Sequence, residues 1–123
     1  MRLTFIELPP FTARWKRETL SDEKLQEVQS AILENPEAGA SMPRTGGLRK
    51  IRLAPPKGGG KGKSFGYRVI YAHIPAAATV YLFAVYGKWD QDDLTPSEEK
   101  YYRDVLTALK KHHRQRAGES ESR

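Results

Sequence analysis

Gly66-Tyr67-Arg68-Val69-Ile70-Tyr71-Ala72-His73-Ile74-Pro75-Ala76-Ala77-Ala78-Thr79-Val80-Tyr81-Leu82-Phe83-Ala84-Val85-Tyr86 is the stretch around which the rest of the chain arranges itself. Gly66 to Ile74 is rich in β-branched and aromatic residues and reads as a strand; Thr79 to Tyr86 reads as a second. The connection Pro75 to Ala78 is too short for a crossover, so the two strands form an antiparallel hairpin. Val80-Tyr81-Leu82-Phe83-Ala84-Val85 is apolar at every position, the pattern of a central strand covered on both sides.

Upstream, Leu48 to Leu53 alternates, with Lys50 and Arg52 on one face and Ile51 and Leu53 on the other. Residues 37–47 contain Gly39, Pro43, Gly46 and Gly47 and read as loop. Before them lies a helix carrying Leu25, Val28 and Ile32 on one face. Ser21 caps it, Asp22 and Glu23 suit its positive end, Leu20 and Leu25 form a hydrophobic staple, and Asn35-Pro36 ends it. Arg2 to Leu8 reads as a strand stopped by Pro9-Pro10, followed by a short helix from Phe11 to Thr19. Downstream, Thr95-Pro96-Ser97-Glu98 is a capping box with proline at the first helical position. Tyr102, Val105, Leu106 and Leu109 then give that helix its apolar stripe. From His112 the chain turns polar and then Ser/Glu-rich, which predicts a frayed, disordered tail over residues 112–123. The expected order is β-α-α-β-β-β-α, an α+β domain over residues 1–111 with helices packed on a small antiparallel or mixed sheet.

A chain of 123 residues is one domain's worth. No apolar run approaches the ~20 residues of a membrane span, and the first residues lack the apolar block of a secretory signal. Cysteine is absent, which excludes disulfides and thiolate metal sites and fits a reducing compartment, so the expected location is the cytoplasm. The net charge of +6 is segregated. From Arg44 to Trp89 there are nine basic residues and no acid, while all 15 acids share the flanks with the other 12 bases. A one-sign segment of this kind attracts polyanions before any specific contact forms.

Gly62-Lys63-Ser64 matches the end of a phosphate-binding loop, but the opening glycine of that motif would fall on Lys57 and a strand follows instead of a helix. The stretch from Pro55 to Ser64 reads better as a basic loop, its glycines giving freedom and Lys57, Lys61 and Lys63 attracting phosphate. Three further segments occur in order: Gly46-Gly47-Leu48-Arg49-Lys50-Ile51-Arg52, Gly66-Tyr67-Arg68-Val69-Ile70-Tyr71 and Tyr86-Gly87-Lys88. Together, over roughly residues 3–109, they resemble the RelE/ParE superfamily of toxins, most closely the HigB-like RelE branch of type II toxin–antitoxin systems. The resemblance implies a ribosome-dependent endoribonuclease that cuts mRNA. It also implies neutralisation by a cognate antitoxin, expected to be a helix-turn-helix protein.

Metal-free RNA cleavage uses the 2′-hydroxyl as nucleophile on the adjacent phosphate. It needs a proton acceptor, a proton donor to the leaving 5′-oxygen and cations around the phosphorane, with no cofactor. Arg68 is the leading cation, because a guanidinium grips phosphate oxygens in two places and its neighbours in alternation, Ile70 and Ala72, are apolar. Lys50 and Arg52 share a strand face; in the family, cations at such positions orient and stabilise the substrate. Tyr86 and Lys88 are candidates for the proton-transfer pair, with the acid and base roles left open and core packing a live alternative for Tyr86. Arg49, Lys57, Lys61 and Lys63 are candidate RNA-binding residues, and Tyr67 or Trp89 could stack on a base. His73, His112 and His113 do not converge with the basic cluster, and Asp90, Asp92 and Asp93 read as a solvated run. Two other functions remain open on these residues: a gyrase poison of the ParE kind, and a non-catalytic RNA- or ribosome-binding module.

Overall fold

The computed structural model describes residues 2–54 and 66–121. In chain order the elements are β1 (Thr4–Glu7), α1 (Pro9–Arg17), α2 (Asp22–Glu34), β2 (Ala40–Ser41), β3 (Arg49–Leu53), β4 (Tyr67–Ile74), a 3-10 turn (Pro75–Ala77), β5 (Thr79–Gly87) and α3 (Pro96–Glu121). One mixed sheet of order β1-β5-β4-β3-β2 forms the middle layer. β5 runs parallel to β1 and antiparallel to β4, while β3 runs antiparallel to both β4 and β2.

Every residue of β5 is buried, as its unbroken apolar run predicted. On one face Phe11 and Trp15 of α1 and Val28 and Ile32 of α2 pack against Val69, Tyr71, Val80, Leu82 and Val85. On the other, Leu94, Tyr102 and Leu106 pack against Ile70, Ala72, Tyr81, Phe83 and Tyr86. A fully buried side chain of this size contributes about 1.5–3 kcal/mol, so the sheet sandwiched between helices accounts for most of the favourable burial.

The helix starts follow from local chemistry. Ser21 Oγ accepts from Lys24 N–H at 3.1 Å. Thr95 Oγ1 accepts from Glu98 N–H at 3.1 Å while Glu98 Oε1 accepts from Thr95 N–H at 2.8 Å, the reciprocal bonds of a capping box. α1 begins on Pro9 rather than Phe11, since proline's fixed φ suits a first helical turn.

Two expectations are revised. The segment read as loop contains β2, whose two residues pair with Lys50 and Arg49 and are too few to leave a periodic pattern. At the other end α3 continues through His112 to Glu121 without a break at Lys111. Lysine, arginine, glutamine and alanine propagate a helix well. The His113 ring is also tied to the sheet, its Nε2 sharing a 2.7 Å hydrogen bond with the Tyr81 hydroxyl.

Candidate active site

Strand register sets Arg52, Arg68 and Tyr86 side by side across β3, β4 and β5, with Lys50, Ile70 and Ala84 in a neighbouring row. Directly opposed residues on adjacent strands lie about 5 Å apart and project to one face. Tyr86 reaches that face through a β-bulge. Ile70 pairs with Ala84 and Tyr71 with Leu82, so Phe83 is an extra residue. Strict alternation from Tyr81 and Phe83 would send Tyr86 to the α1–α2 side. The bulge lets Phe83 and Ala84 both pack toward α3, and Tyr86 follows them onto the face of Arg68.

Glycine in the Gly66-Tyr67-Arg68 motif has a steric cause. A Cβ at Gly66 would lie 2.2 Å from the Leu53 carbonyl oxygen, and the Gly66 carbonyl accepts the Lys88 N–H at 3.1 Å. Gly66 therefore draws the ends of β3, β4 and β5 together beside Arg68. Gly47, at φ +128°, makes the turn that feeds β3.

Arg68 is only 5% exposed and Tyr86 only 2%, while Arg52 is exposed and Lys50 and Lys88 are half-buried. The acid run is exposed, as expected, yet each of its carboxylates meets a base. Asp93 Oδ2 pairs with Lys50 Nζ at 3.3 Å, Asp92 with Lys88 Nζ at 3.0 Å, and Asp90 with Arg14. Asp93 Oδ1 also accepts from Leu94 N–H at 2.9 Å and, at a longer 3.4 Å, from the Tyr86 hydroxyl. Burial, then the charge and hydrogen bond of Asp93, hold the Tyr86 phenol well above the usual tyrosine range, against the opposing influence of Arg68. For Asp93 burial works upward, but the bond from Leu94 and the contacts with Lys50 and Tyr86 outweigh it and hold the carboxyl below its ordinary value. Lys50 thus faces a carboxylate rather than a crowd of like charges. The three carboxylates diverge to three different bases, and among the described residues no group of three or more His, Cys, Asp or Glu could hold a metal ion.

Other candidates lie elsewhere. Arg49 is on the opposite strand face, where its guanidinium donates to the Gly39 and Glu37 carbonyls at 2.8 and 3.3 Å. Tyr67 is buried on the α1–α2 side, its hydroxyl donating to Glu18 Oε1 at 3.2 Å. Burial, then Glu18, pushes this phenol up to about 12. Trp89, 53% exposed, rests edge-on against the Tyr67 ring at 4.9 Å. Neither Arg49 nor Tyr67 belongs to the cationic face, because odd and even positions of a strand point opposite ways. Lys57, Lys61 and Lys63, with the glycine-rich match, lie outside the described residues. Asp93 was missed by sequence reading; its place two residues before the Thr95 cap was the only hint that it is held firmly.

A cleft of about 290 Å³ opens beside Tyr86 between α1 and α3, lined by Arg14, Arg17, Tyr86, Gln91, Glu98 and Tyr102. The arrangement can hold an anion on Arg52, Arg68 and Lys50 beside a phenol that keeps its proton at neutral pH.

This is a small α+β protein with a cationic sheet face, and its fold is shared with solved structures. It is similar to a mutant Escherichia coli RelE toxin in the free state, in which two arginines are replaced by alanine, with a TM-score of 0.53 and 21% identity over 75% of this chain and 90% of that one. Against the isolated E. coli RelE toxin the TM-score is 0.50 and the identity 20%, covering 85% of this chain and 99% of that one. Against a chain of the intact E. coli RelBE toxin–antitoxin complex the values are 0.50 and 21%, covering 68% and 94%. A model of the RelE toxin of the RelE/RelB toxin–antitoxin system matches residues 10–119. The chain belongs to the RelE toxin family, the toxins of toxin–antitoxin systems. No described helix is long and apolar enough to cross a membrane.

Proposed function

We propose that this toxin is an endoribonuclease that cuts ribosome-bound mRNA by attack of a 2′-hydroxyl on the adjacent phosphate, and so stops translation. The observation that carries the reading is the register row Arg52, Arg68 and Tyr86, flanked on the same face by Lys50. Arg68 and Arg52 bind the phosphate oxygens and stabilise the charge that develops on them. Lys50 orients the strand, and Tyr86 and Lys88 form the proton-transfer pair, with Tyr86 entering the reaction as a protonated phenol. Such groups are weak acid–base catalysts alone and suffice where the ribosome supplies geometry. The lysines of the basic, glycine-rich stretch, Lys57, Lys61 and Lys63, add phosphate attraction. The E. coli RelBE complex pairs its toxin with an antitoxin, which supports a cognate antitoxin as partner here; the cytoplasm, where ribosomes meet message, is the place of action that the proposed reaction requires.

The test is message cleavage in a translating extract by the wild type, Arg68→Ala and Lys88→Ala. The expected result is cut message with a 2′,3′-cyclic phosphate end from the wild type and losses on the order of 10²-fold or more in either variant. Equal cleavage by all three proteins would overturn the site. Arrest of DNA replication ahead of protein synthesis in expressing cells would overturn the reaction and favour a gyrase poison.

A further inference from the structure

We infer that Asp93 is a positioning residue for this site, a carboxylate that spans the sheet face from β3 to β5 and fixes Lys50 and the Tyr86 hydroxyl relative to each other. The inference rests on the nuclease reading for its catalytic consequence, and on geometry for the rest. Lys50 and Tyr86 are on strands separated by β4, and no residue of the sheet bridges them in register. Asp93 does so from the loop after β5, with one oxygen on Lys50 Nζ at 3.3 Å and the other on the Tyr86 hydroxyl at 3.4 Å.

Asp93 is itself anchored. Its Oδ1 takes the Leu94 N–H at 2.9 Å, its carbonyl takes Gln91 Nε2 at 2.8 Å, and Leu94 beside it is buried against α3. Asp92, by contrast, meets Lys88 with a side chain 89% exposed and has no comparable backbone support among the described residues. A carboxylate fixed from behind and shared between two working groups holds geometry; a phosphate mimic that must vacate the site would not be anchored to its own loop in this way. The groups facing Tyr86 are Arg68 from β4, Asp93 from the loop and Glu98 from α3, with Arg14 of α1 lining the same cleft. Asp93 is the acid among them that shares a hydrogen bond with the Tyr86 hydroxyl.

Asp93→Asn tests this, because asparagine keeps an oxygen for Leu94 N–H and Tyr86 but removes the charge that holds Lys50 and disfavours tyrosinate. The variant is expected to unfold within roughly 2 °C of the wild type. On ribosome-bound message its kcat should fall about tenfold or more with KM nearly unchanged. The Tyr86 Cζ resonance, followed by NMR at neutral pH, should move upfield from its wild-type position as the hydroxyl loses its carboxylate acceptor, and Asp93→Glu should restore part of kcat. Unchanged kcat with a lower KM would overturn the inference in favour of a carboxylate that competes with substrate. An unmoved Tyr86 Cζ resonance would overturn it whatever the activity. If the wild type leaves message intact, the nuclease reading fails, and the Tyr86 resonance still decides whether Asp93 holds that hydroxyl.

Discussion

At the scale of single residues, Tyr71 shows how one hydroxyl can fix a segment of chain. Its ring is fully buried in β4, and its hydroxyl accepts from Gly39 N–H at 2.9 Å while donating to the Pro36 carbonyl at 2.8 Å. Arg49 grips the same segment through the Gly39 carbonyl. Between them they place Ala40 and Ser41 against β3, on the outer side of the strand that carries Lys50 and Arg52. Tyr71→Phe should leave Gly39 N–H and Pro36 C=O without their partner, at a cost of roughly 1–2 kcal/mol. In urea the midpoint should fall with the slope unchanged; an unmoved midpoint would show the two bonds to be dispensable. Residues such as Arg68, Lys50 and Arg52 stand out in the sequence because each is a charge inside an apolar or alternating run. Asp93 could not, since its partner Lys50 is 43 residues away and its own neighbours look like solvated loop.

Among the elements, what could be read from sequence divides by the range of the interaction. The capping box at Thr95 and the Ser21 cap are written within four residues and both form. The bulge at Phe83 depends on how β5 meets β4, and the apolar run of β5 hides the change of parity that it causes. Tyr86 was therefore singled out by its neighbours in a motif, while the reason it stands beside Arg68 became visible only in the register. The α3 cap also bears on the site, because Glu98 takes both Thr95 N–H and Gln91 Nε2, and Gln91 in turn supports the Asp93 carbonyl. Thr95→Ala should cost about 1 kcal/mol of stability. Thermal unfolding would register this as a lower midpoint, and Thr95→Ser should recover most of it; equal loss in both variants would mean that the hydroxyl is not the cap.

Over the whole molecule, folding undoes part of the charge separation present in the sequence. The acids that lie outside Arg44 to Trp89 along the chain return in space, with Asp92 and Asp93 meeting bases of that segment. Linear charge counting therefore overstates the positive field of that segment. Tyrosines give the molecule a second electrostatic property. Tyr67, Tyr71, Tyr81, Tyr86 and Tyr102 are all held above the ordinary phenol value of 10.0, in every case with burial as the leading cause. A group whose folded value is raised contributes stability that is complete below its unfolded value and declines as pH climbs toward the folded one. For Tyr67 that window runs from 10.0 to about 12. The five phenols act in the same direction because each is buried, four on strands of the sheet and Tyr102 on α3 packed against it. Alkaline unfolding should therefore be cooperative, with tyrosinate absorbance and the loss of helical circular dichroism rising together above pH about 10. Early ionisation of these five rings with the dichroism intact would show that solvent reaches them in the folded protein, and that the sheet is less well covered than its packing indicates.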